Sequence, residues 1–131
     1  MTSDAPHRDE NYRVFELDDL ESERDGERWY EFHRSRSQYS GLYVLPRGAV
    51  DEQTPHDHDE LYFVLKGRAC VLLGAEGERR RAAPGSIIYV KAGEEHRFCD
   101  IEEELHLLVF FSMAEPDRPG DTASDPNRTD A

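Results

Sequence analysis

The sequence predicts an all-β sandwich or barrel. Short apolar stretches recur along the chain with turn residues between them, as closely spaced strands do. No long helical period interrupts them. The length, 131 residues, suits one domain with one core.

Residues 1–11 are polar and are expected to be disordered, as is the acidic tail 115–131, whose apolar residues are no larger than Ala. A single domain is expected over 12–114. Tyr12 to Leu17 alternates apolar and polar residues, as an edge strand would. Asp18, with Glu21 three places on, reads as an N-cap, and Gly26 ends the short helical turn expected between Asp18 and Asp25. Strands are expected at Trp29 to His33 and at Tyr39 to Leu45, the second closed by Pro46 and Gly48. Two more, Leu61 to Leu65 and Ala69 to Leu73, flank Lys66-Gly67, where the first should stop. Gly74 to Gly77 reads as a hairpin loop, Glu78 to Ala82 as the return strand, and Pro84-Gly85 as a turn. Ser86 to Val90 reads as a buried strand. His96 to Phe98 follows the Ala92-Gly93 turn, Glu102 to Glu104 reads as an acidic loop, and Leu105 to Met113 as the last strand.

The charge balance narrows the function. With 29 acidic against 16 basic residues the net charge is -13, which argues against nucleic acid and anionic membranes as partners. No apolar run approaches the roughly 20 residues of a membrane span. The first residues carry no apolar stretch, so no signal peptide is expected and the expected location is cytoplasmic. Cys70 and Cys99 cannot make a disulfide framework and lack zinc-pair spacing, so both are expected to be reduced structural thiols.

The chemistry concentrates in Pro55 to Gly67, where His56, His58 and Glu60 fall within five residues ahead of an apolar run. Imidazole and carboxylate are common ligands of Fe, Mn, Ni, Zn and Cu. Around this stretch two glycine-framed patterns stand. Gly48 is followed by five residues, Thr54-Pro55-His56, three residues, Glu60, six residues and Gly67. Gly85 is followed by five residues, Lys91-Ala92-Gly93, two residues, His96, three residues and Asp100. In this spacing the chain resembles the cupin superfamily, over roughly Tyr39 to Phe111.

The resemblance implies a double-stranded β-helix of jelly-roll type, here with the one short helical turn before it, and a divalent metal inside the barrel. It places His56, Glu60 and His96 on family ligand positions. Thr54 stands where the family has its first histidine, and Asp100 replaces an asparagine. Two ligand sets follow. His56, Glu60 and His96 alone form a two-His-one-carboxylate triad, which suits Fe(II); alternatively His58 completes four ligands. On a straight strand the ends of residues 56–60 would lie about 13 Å apart at roughly 3.3 Å per residue, so joint ligation needs a bend. Tyr62 and Phe98, each two residues past a ligand, are expected to line the cavity, with Tyr43 a further candidate. His106 is a candidate for the same wall if its face points inward.

The function expected is a metal-dependent enzyme, of dioxygenase type or else an isomerase or lyase, acting on a small polar or carboxylated metabolite. The alternative is a non-catalytic module that binds a small ligand or a metal. The resemblance also implies frequent homodimers, for which the edge of Tyr12 to Leu17 would serve.

Overall fold

A computed structural model describes residues 11–113. One helix, α1 (Leu17–Arg24), precedes six strands: β1 (Trp29–Arg34), β2 (Gln38–Leu45), β3 (Glu60–Leu73), β4 (Glu78–Ala82), β5 (Ile87–Val90) and β6 (His96–Ser112). All pairings are antiparallel, in the order β1-β2-β6-β3-β4, with β5 on the free flank of β3. The disorder expected for 1–10 and 115–131 lies outside the described residues.

Two strands are much longer than the sequence pattern suggests. Gly67 does not stop β3, and Glu102 to Glu104 is no loop but part of β6. Both positions look like breaks because both bend. Gly67 has φ +99°, with the carbonyl of Glu104 lying where a Cβ would be. Asp100 has φ +50°, and the β3–β6 register slips at three points between Val64 and Cys70. These are β-bulges, which turn a strand without ending it.

The bulges build the barrel. The first half of β3 pairs β5 and the second half of β6, whose other side pairs β2. The second half of β3 pairs β4 and the first half of β6. One long two-stranded ribbon thus folds over and supplies strands to two facing sheets. Leu45, Tyr62, Val64, Val71, Phe98, Leu105, Leu107 and Val109 fill the space between them. This is the double-stranded β-helix.

The N-terminal region departs from expectation. Tyr12 to Glu16 forms no strand, and Leu17 already opens α1, with Glu16 at the N-cap position and Asp18 inside the first turn. Asp25 in the left-handed region closes the helix. Leu20 packs α1 onto the outer face of the sheet, against Leu42 and Val44. β5 is only partly buried, with Ile87 and Tyr89 exposed, because it lies at a sheet edge.

His106 faces this helix rather than the interior. Leu105, Leu107 and Val109 take the core side of β6, and His106 pairs across from Val44. Its Nδ1 lies 2.9 Å from the Glu21 carboxylate on α1 and its Nε2 2.9 Å from that of Glu104. His106→Ala should cost about 1 to 3 kcal/mol, since a buried charge-assisted tie is lost. Hydrogen exchange over residues 17–24 should speed up, and unchanged protection there would refute this anchoring.

Candidate functional site

Glu60 begins β3 and His96 begins β6, at opposite ends of one ladder in which Glu60 sits across from Phe111 and His96 across from Leu73. On a straight ribbon these ends would lie about 40 Å apart at roughly 3.3 Å per residue. Folded at the bulges, the ribbon brings Glu60 Oε2 to 3.3 Å from His96 Nε2. His56 arrives from the preceding loop, its Nδ1 2.6 Å from Glu60 Oε1. Two bonds fix that loop: Gly93 N–H donates to the His56 carbonyl (2.8 Å), and Ala92 N–H to the Asp59 carboxylate (2.8 Å). One donor atom from each of His56, Glu60 and His96 lies within 4.8 Å of the others, a group able to hold a metal ion.

The protonation pattern fits a cation. His96 Nδ1–H donates to the Glu94 carbonyl (3.0 Å), so that in the neutral ring Nε2 carries the lone pair. That nitrogen and Glu60 Oε2 are both buried without a hydrogen-bond partner. Two acceptors facing each other in the interior require a positive species between them. Burial pushes the Glu60 carboxyl up, but the imidazoles of His56 and His96 beside it outweigh that and hold the group at about 2. Burial lowers His96 while the Glu60 carboxylate and Glu94 carbonyl raise it, and the rise prevails. Both directions express the same demand for positive charge, which a proton or a divalent ion can meet.

His58 contributes no atom to the group, although its Nδ1 is buried and without a hydrogen-bond partner. It sits in the bend at residues 57–58, between His56 and the start of β3.

Beside the donors opens a cavity of about 280 Å³, walled by Trp29, Tyr39, Tyr43, Tyr62 and Phe111, with Gln53, Val109 and His56. Tyr62 and Tyr43 therefore lie where the sequence places them. Phe98 stands behind, packed edge-on against Tyr62 with ring centroids 5.1 Å apart, and does not line this cavity. His106 is on the far face of the sheet. Gly41 makes room for the Trp29 ring, whose nearest atom lies 2.2 Å from where a Cβ would stand.

A residue that sequence reading missed organises this wall. Asp51 is 2% exposed and carries no motif. Its carboxylate accepts from the Tyr43 hydroxyl (2.7 Å), from Gln53 Nε2 (2.7 Å) and from the Phe98 backbone N–H (2.8 Å). Gln53 in turn accepts from the Tyr62 hydroxyl (2.9 Å). Burial first, then the neighbouring carboxylates of Asp51 and Glu60, push both phenols well above the ordinary tyrosine range. Both are thus hydrogen-bond donors rather than bases.

Among the described residues, the arginines stay outside the cavity. Arg79 pairs with Asp100, Arg80 with Glu78, and Arg34 with Glu31 while lying 4.3 Å over the Tyr39 ring. Among the described residues, no lysine or arginine lines the cavity.

Comparison with known proteins agrees with this architecture. An uncharacterized protein of Streptomyces coelicolor, SCO3923, is 45% identical over 106 residues, covering 79% of this chain and 98% of that one. Among solved structures, TT1209 from Thermus thermophilus superimposes with TM-score 0.62 at 24% identity, over 77% of this chain and 97% of that one. KdgF from a Halomonas species gives 0.58 at 26% identity, over 69% and 78%. The DMSP lyase DddQ from Ruegeria pomeroyi gives 0.58 at 22% identity, over 65% and 47%. The family model for the cupin domain matches residues 41–111, more than half of the chain, and this protein belongs to the cupins.

Proposed function

We propose that this cupin is a metal-dependent enzyme of dioxygenase type that acts on a small molecule held in the aromatic cavity. The observation that carries the reading is the buried, unpartnered pair Glu60 Oε2 and His96 Nε2, facing each other beside His56 at the cavity wall. His56, Glu60 and His96 would hold one divalent ion. Three protein ligands leave coordination positions open, an arrangement that suits Fe(II), though Mn, Ni, Zn and Cu accept the same donors. Bound there, the ion would supply a Lewis-acid or oxygen-activating centre.

The chain's own residues define the substrate. The cavity has room for about nine waters at roughly 30 Å³ each, so the substrate is small. Its ring-lined wall offers flat apolar surface to a substrate. Gln53 and the two phenols offer the polar contacts. With no cationic side chain in the wall, only the ion would neutralise a substrate carboxylate, which favours uncharged polar molecules over acids.

A second reading, a non-catalytic module for a small ligand or metal, is favoured by Thr54 at the family's first histidine position. A lyase is a third, since one structural relative carries that name. Metal analysis of the purified protein tests the shared core. About one transition-metal ion per chain is expected, falling at least tenfold in Glu60→Gln and in His96→Ala. A metal-free wild type that takes up none of these ions overturns the reading. Oxygen uptake with a panel of small uncharged metabolites then separates the classes: uptake supports the dioxygenase, and metal without uptake supports the module or the lyase.

A further inference from the structure

Away from the barrel interior, Cys70 on β3 and Cys99 on β6 stand directly opposite each other in the ladder. Their sulfurs and an Asp100 oxygen lie within 4.8 Å of one another. Directly opposed residues of antiparallel strands have Cα atoms about 4.5 to 5.5 Å apart, inside the roughly 4.4 to 6.8 Å that a disulfide spans. Opposed side chains also share one face of the sheet. The register slips just before Cys70, and Asp100 bends the backbone just after Cys99, so the strands have local freedom to adjust. Both thiols are free and only half-buried, and Cys99 lines an open groove of about 590 Å³.

Arg79 decides between two uses of this cluster. Its guanidinium is paired with the Asp100 carboxylate and lies 3.8 Å from Cys99 Sγ. A metal ion at the three donors would have to displace that cation. A thiolate at Cys99 would instead be stabilised by it.

We propose that Cys70 and Cys99 form a reversible redox dithiol, closed by a peroxide to a cross-strand disulfide and reopened by a thiol reductant. The Cys99 thiolate attacks one peroxide oxygen. The O–O bond breaks, the departing oxygen takes a proton to leave as water, and Cys99 becomes a sulfenic acid. The Cys70 sulfur then displaces that hydroxyl, which leaves as a second water with the Cys70 proton. The two sulfurs give up two electrons and the peroxide gains them. Burial, with Cys70 beside it, pushes the Cys99 thiol up against the pull of Arg79, so closure should quicken as pH rises and the thiolate fraction grows.

The test treats the full chain with hydrogen peroxide and follows free thiols, intact mass and non-reducing electrophoresis. Both thiols should disappear together, the mass should fall by two hydrogens, no covalent dimer should form, and dithiothreitol should restore both. In Cys70→Ser the Cys99 sulfenic acid should persist and be trapped by dimedone. Circular dichroism confirms that this variant is folded, and Cys70→Ala serves if it is not. Wild-type thiols that survive peroxide, or that are lost one at a time with added oxygen or as cross-linked dimers, overturn the proposal.

Discussion

Gly67→Ala should lower stability by about 3 to 5 kcal/mol in a urea melt and should also lower metal content. A Cβ at this position would lie 2.1 Å from the Glu104 carbonyl oxygen, with the backbone at φ +99°, a region L side chains rarely adopt. Backbone atoms are on both sides of the clash, so neither strand can give way by rotating a side chain. The second effect separates this from a merely structural glycine. Gly67 is at the fold of the β3–β6 ribbon, and that fold carries Glu60 to His96. Gly74→Ala is the control: it has positive φ but nothing within 4 Å of the added carbon, and should cost about 1 kcal/mol with metal content unchanged. Equal effects of the two variants on metal content would refute the claim that the bulge assembles the site.

Asp51→Ala should be comparably severe. Three donors lose a buried acceptor at once, and each orphaned group costs about 1 to 3 kcal/mol, partly relieved where water enters. A net loss of about 3 to 5 kcal/mol is expected. Beyond stability, Tyr43 and Gln53 should lose their fixed positions, and Tyr62 with them, because Gln53 links Tyr62 to Asp51. Metal content should persist while substrate or ligand affinity falls, since the ion's ligands hang on other bonds. Asp51→Asn keeps the size but exchanges one acceptor oxygen for an N–H₂ facing existing donors, and should fall between the two. A loss below about 1 kcal/mol in the alanine variant would show that Asp51 does not organise the wall.

The candidate ligand positions were legible because glycines frame them. Positive-φ residues recur at Gly48, Gly67, Gly85 and Gly93, the spacing by which His56, Glu60 and His96 stand out. The continuity of β3 and β6 was not, because a bulge and a strand end use the same residues. Reading Glu102 to Glu104 as loop removed the constraint that sets facing downstream, and so left His106 free to be placed on the cavity side. Asp51 was silent for a different reason. It lies in a loop with no periodicity, and only its three partners, distant or ordinary in sequence, give it meaning. Trp29 and Phe111 read as generic strand aromatics, and their place in the wall depends on pairings that spacing alone does not reveal.

The folded ribbon has one more outcome. An ion held by Glu60 and His96 would act as a clasp on its two ends, so resistance to melting should track the free metal level. Binding only the native chain, it would add about 2.7 kcal/mol at a hundredfold excess over its dissociation constant. A chelator would loosen the barrel from its donor end.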